Sequence, residues 1–159
     1  AGYFLFDTSA LTAGAVVSAA TLSFFCNSRH DNLSPAGAVS LVDTTTASNT
    51  AIEAADYGRR GSTKQATDLA LVDGQITNDI TVTNAFTLNS TGLDSISLTG
   101  ITKFAMVITS SLSGTSPTWS AEKETQVNIP TADEALTGDK FPYLTITYAV
   151  TFTPKAIMF

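Results

Sequence analysis

DITVTNAFTLNSTGLDSISLTGITKFAMVIT, residues 79–109, is the stretch from which the fold can be read. Ile80, Val82, Ala85 or Phe86, and Leu88 punctuate a run rich in β-branched residues, the composition of a half-buried strand. Thr91, Gly92, Leu93 and Asp94 then carry the pattern of a capping box, a hydroxyl followed three residues later by a carboxylate able to reach back. Leu93 and Ile96 share one helical face, and Gly100 stands where a left-handed helix end would fall. From Ile101 the period returns to two: Ile101, Lys103, Ala105 and Val107 alternate with Thr102, Phe104, Met106 and Ile108. The stretch predicts strand, short helical lid, strand. A lid of about two turns rich in Ser and Thr does not persist alone, so it must close the end of a larger β-structure.

Working outward, residues 2–7 (GYFLFD) alternate Tyr3 and Leu5 with Phe4 and Phe6, a strand with aromatic side chains on both faces. Asp7, Thr8 and Ser9 can cap a single turn through Leu11, and Gly14 permits a reversal. Residues 16–27 form a long strand whose Ala20, Leu22, Phe24 and Cys26 make one apolar face. A slip of one residue would expose that whole face, which fixes the register. A loop is expected over 27–37, where Pro35 bars a central strand position. A short strand at 39–43, a helical turn within 51–57 and a polar, basic loop over 58–67 follow. Residues 68–76 read as strand or buried loop. Residues 122–129 read as a charged edge strand, 130–142 as a polar connection, and 143–152 as the last strand, which Pro154 breaks. Many strands separated by turn signals, without a βαβ rhythm, predict an all-β fold: an antiparallel β-sandwich of jelly-roll type with short helical turns in its connections, one domain over residues 1–159.

The totals fit that expectation. A chain of 159 residues buries roughly 68–70% of its unfolded surface, enough for a two-layer core. Only 14% of its residues are charged, far from the charged, hydrophobe-poor signature of disorder. The net charge of −6 is spread singly, and phosphate binding needs a basic stripe, so nucleic acid is not an expected partner. The pair Arg59-Arg60, followed by Lys64, reads as a solvated loop. No membrane insertion is expected: the most apolar window, residues 10–25, is too short and is interrupted by Thr12, Gly14, Ser18, Thr21 and Ser23. The opening residues have no leader pattern, which reads as a processed or trimmed chain. A single cysteine, Cys26, excludes an internal disulfide, so stability rests on packing.

Residues 4–22 (FLFDTSALTAGAVVSAATL), 88–104 (LNSTGLDSISLTGITKF) and 142–148 (PYLTITY), in this order and spacing, resemble the β-sandwich modules called DNRLRE domains and similar modules of phage and archaeal surface proteins. The resemblance covers most of the chain. It implies jelly-roll-like folding, an extracellular or particle-surface location, and adhesive, scaffolding or carbohydrate-associated roles, and it supplies no catalytic residues.

The residues themselves give no catalytic site. His30, the only histidine, lies in a polar loop without a nucleophile motif. Cys26 reads as a buried, inert thiol, and no pair among the 14 acids is singled out for glycosidase chemistry. One Cys and one His build no zinc site. Asp73, Asn78 and Asp79 lack calcium-loop spacing and read as turn formers. No metal or cofactor is expected. For sugar stacking the candidates are Trp119 and then Tyr57, although Trp119 can instead cap the core with its indole N–H bonded to backbone. For contacts between copies the candidates are Tyr3 and Phe4 in the opening strand, and Ile157, Met158 and Phe159 at the apolar end. The expectation is a non-enzymatic structural or adhesive subunit of a virion or extracellular appendage, a homo-oligomer or a partner of other structural subunits. The alternative is a carbohydrate-binding module that recognises a surface glycan.

Overall fold

A computed structural model describes residues 1–33, 36–72, 74–114, 118, 120–130 and 140–150. The chain is an all-β antiparallel sandwich. Its strands are β1 (Gly2–Asp7), β2 (Ala15–Phe25), β3 (Ser28–Asp31), β4 (Ala38–Thr44), β5 (Arg60–Lys64), β6 (Leu69–Ala70), β7 (Thr83–Thr87), β8 (Ile101–Ile108), β9 (Thr125–Asn128) and β10 (Tyr143–Val150). Two short helices, α1 (Ser90–Asp94) and α2 (Ser110–Ser113), and two 3-10 turns, Ser9–Leu11 and Ala54–Arg59, lie in the connections.

One sheet runs β1-β8-β4-β5, with β6 also on β4; the second runs β10-β2-β7; β3 and β9 form a separate pair. The apolar face expected of β2 is the centre of the core: Leu22, Phe24 and Cys26 are fully buried and Ala20 nearly so. They meet Phe4, Leu41, Phe86, Ile96, Phe104 and Met106. Both faces of β8 are covered. Phe104 and Met106 enter the main core, while Ala105 and Val107 join Val42 in a smaller cluster under Tyr3 and Leu112. Ile146, on the core-facing side of β10, is only partly buried, because β10 is an outer strand of its sheet among the described residues.

β2 is not regular throughout. Its pairing with β10 shifts between Thr147 and Tyr148, where Ala19 faces Thr147 but Val17 faces Tyr148. The extra residue, Ser18, is exposed, and its hydroxyl donates to the Thr147 carbonyl at 3.2 Å. Such a bulge flips the side-chain alternation. Below it the core side is Val17 and Ala15, and Val16 is 61% exposed.

The lid after β7 is helical, as its sequence predicts, but it is capped differently. The cap is Asn89, whose Oδ1 accepts from the Gly92 N–H at 2.9 Å. Thr91 lies within the helix and contributes its carbonyl to the Ser95 N–H. Gly100 does not end the helix in a left-handed conformation; the helix ends at Ser95, and the Gly100 carbonyl accepts from the Thr8 N–H and hydroxyl. Gly14 is likewise not the left-handed residue of its turn: Thr12 is, at φ 66°. β7 begins later than expected, because Asp79 Oδ1 accepts from the Thr81 N–H and hydroxyl, both at 2.7 Å, and folds residues 79–82 into a turn. Two stretches expected as loops contain strands. β3 pairs with β9 and β5 with β4 through backbone bonds.

Candidate functional site

Among the described residues, backbone bonds close one side of the sandwich, and none of them joins the two sheets on the other. On the closed side, Ala66 bridges Leu88. The Gln65 N–H donates to Leu41, the Asn89 N–H to Gln65, and the Leu88 N–H to Ala20. Backbone bonds therefore run from β2 through Leu88 and Gln65 into β4. Gly92 fits beside this seam because it lacks a Cβ, which would meet the Gln65 carbonyl oxygen and Leu88. With that side stitched, the strands of the two larger sheets form one bonded strip, and its two ends, β1 and β10, fall on the opposite side, where β9 of the separate β3–β9 pair also borders β1. Among the described residues β1 pairs only with β8, and β10 only with β2.

This open side is apolar. Past the bulge, Tyr148 and Val150 share a face with Val17 and Ala15, so they point toward the core side of their sheet. They are nevertheless 46% and 39% exposed. At the other end of the same side, β1 borders a groove of about 600 Å³, walled by β1 residues, Met106, Val127, Ile129, Phe141 and Pro142. None of the described lining residues carries a charged side chain. Charge lies nearby: the Lys140 ammonium stands 4.7 Å from the centre of the Phe25 ring, and Asp31 Oδ1 accepts from the hydroxyl of the lining residue Thr125 at 2.7 Å.

The residues singled out from the sequence are distributed as follows. Phe4 lies on β1 with its ring in the core, so what it offers a partner is chiefly the backbone edge. Tyr3 is half-buried, and its hydroxyl donates to the Asp56 carbonyl at 2.8 Å. Tyr57 sits on the 3-10 turn Ala54–Arg59 with 67% of its surface exposed. Trp119, Ile157, Met158, Phe159 and Asp73 lie outside the described residues.

The segment that carries Tyr57 is held by a buried carboxylate the sequence did not single out. Asp56 accepts from the Glu53 and Ala47 N–H groups, both at 3.0 Å, and Arg59 Nε lies 3.4 Å away. The Glu53 and Ala47 bonds hold its carboxyl below the usual carboxylate range. Lys103 Nζ donates to the Thr46 and Ser48 carbonyls at 2.7 and 3.1 Å, pinning the same loop to β8.

The remaining chemical candidates are engaged locally. His30 Nδ1 lies 3.3 Å from Glu124 Oε1 across the β3–β9 pair, with both side chains about half exposed. Burial pushes the Cys26 thiol pKa up, away from the thiolate a nucleophile needs. Asn78 Oδ1 accepts from the Arg29 N–H at 3.0 Å. Among the described residues no three His, Cys, Asp or Glu side chains converge on a metal position, and no helix is long and apolar enough to cross a membrane. Comparisons with family models, curated proteins and solved structures give no match.

Proposed function

We propose that this chain is a non-enzymatic structural or adhesive subunit of a virion (capsid decoration, head or tail fibre) or of an extracellular appendage. It would be a jelly-roll-type module of the kind its sequence resembles, standing at a particle or cell surface. The observation that carries the reading is the open side. Two strand edges lie there, beside a groove with no charged side chain among its described residues and the exposed Tyr148 and Val150. Unpaired edges and contiguous apolar surface invite another chain. Copies of one chain satisfy such surfaces mutually in closed symmetry, and a trimer or larger ring is the expected form. Size-exclusion chromatography with light scattering tests it: assembly supports the subunit, and a monomer at every concentration overturns it.

A second reading, a carbohydrate-binding module, is favoured by Tyr57. Its ring stands exposed on a segment fixed from below by Asp56 and Lys103. A rigid, exposed aromatic is what stacking on a sugar ring requires. A glycan array separates the two readings, since a defined glycan bound by a monomer, and lost in Tyr57→Ala, would support the module.

A further inference from the structure

We infer that the β1 edge and its groove receive residues 151–159 of a second copy of this chain, added to β1 as an extended strand. The inference rests on the assembly reading above and names the surface and the segment that would perform it. The groove's size is that of a small-molecule pocket, but its wall is a strand edge. An edge supplies a row of backbone donors and acceptors that an extended peptide can satisfy.

The chemistry of the wall selects the peptide. None of its described residues has a charged side chain, and most are apolar, with Thr125, Gln126 and Asn128 the polar ones of β9. Residues 131–139 (TADEALTGD) carry three carboxylates and suit it poorly. Residues 151–159 (TFTPKAIMF) carry Phe152, Ile157, Met158 and Phe159 and a single charge, at Lys155. Pro154 is tolerated in a strand added at an edge, where one side needs no N–H donor. Nine extended residues span about 30 Å, and the six of β1 about 20 Å, so the segment can cover the whole edge.

Geometry favours a second copy as the source. β10 starts beside the groove, just after Phe141 and Pro142, and its pairing with β2 carries it away until Val150 lies opposite Ala15. Residues 151–159 of the same chain therefore begin at the far end of β10 and would have to turn back. A neighbouring copy has no such restriction.

Cysteine pairing tests this in the full-length protein. Leu5→Cys in one copy is co-expressed with Phe152→Cys, Ala156→Cys or Met158→Cys in a differently tagged copy, and treated with a short bismaleimide. Cys26 is fully buried and does not compete. The expected result is a heterodimer joining Cys at position 5 to one of the three, and none when Leu5→Cys is replaced by Thr87→Cys on the closed side. An assembled protein with no such product overturns the groove inference and leaves the assembly reading standing. A product formed only within one doubly substituted chain overturns the second copy as donor. A protein that stays monomeric by light scattering overturns both.

Discussion

Phe24→Ala is expected to cost about 3–5 kcal/mol of folding stability. Phe24 is fully buried on β2, the middle strand of its sheet. Its ring centre lies 5.7 Å from that of Phe86, with the planes tilted by 31°. Truncation gives up roughly 150 Å² of buried apolar surface, about 4 kcal/mol at about 25 cal/mol per Å². About 0.5–1.5 kcal/mol of specific ring pairing lies within the measured loss. The cavity sits between two hydrogen-bonded sheets, which limits collapse around it. Total stability for a domain of this kind is about 5–15 kcal/mol, so Phe24→Ala leaves a marginal protein. Phe24→Leu, at about 1–1.5 kcal/mol, is the milder companion. Urea unfolding followed by far-UV circular dichroism, on both variants, on Phe86→Ala and on the Phe24→Ala/Phe86→Ala double variant, gives the losses and the coupling. A loss below about 1 kcal/mol for Phe24→Ala, at an unchanged denaturant slope, would refute the assignment of this face of β2 to the core.

Asn89→Ala should cost about 0.5–2 kcal/mol through the lost cap, and Thr91→Ala should stay within about 0.5 kcal/mol; urea midpoints of the two variants distinguish the caps. Gly92→Ala should lose about 1–3 kcal/mol, because its new methyl meets main-chain atoms of Gln65 that cannot swing aside, and thermal melts check it. Asp56 has its folded pKa below the unfolded value of about 3.9, so its contribution is complete above about pH 4 and is lost as pH falls through the folded value. Asp56→Asn should therefore have a lower urea midpoint than the parent at pH 7, with the gap closing in acid.

The strands that carry a core face were legible in the sequence because burial imposes a period on side chains. β1, β2, β4, β8 and β10 are of this kind, and Leu22, Phe24 and Phe104 lie where their alternation puts them. β3 and β5 were not legible. Ser28-Arg29-His30-Asp31 and Arg60-Gly61-Ser62-Thr63-Lys64 contain no apolar alternation, and only backbone pairing to β9 and β4 makes them strands. The helical lid was legible, but its cap was not, because Asn89 and Thr91 both fit the start of a helix. The choice depends on which side chain can reach an orphan N–H. The open side was least visible. Phe4 and Phe6 mark β1 as a strand with aromatic side chains, but the placement of the β1 and β10 edges on one side follows only from strand order. The stitching of Ala66 to Leu88 on the far side is a contact between distant residues. Asp56 escaped notice for a related reason: its partners are backbone N–H groups, which leave no trace in residue types.

Light scattering across a concentration series measures the consequence of the open side most directly. The account predicts a molar mass that is a multiple of 16.6 kDa, falling toward smaller species when the groove wall is altered by Leu5→Lys. A mass of 16.6 kDa at every concentration would contradict it.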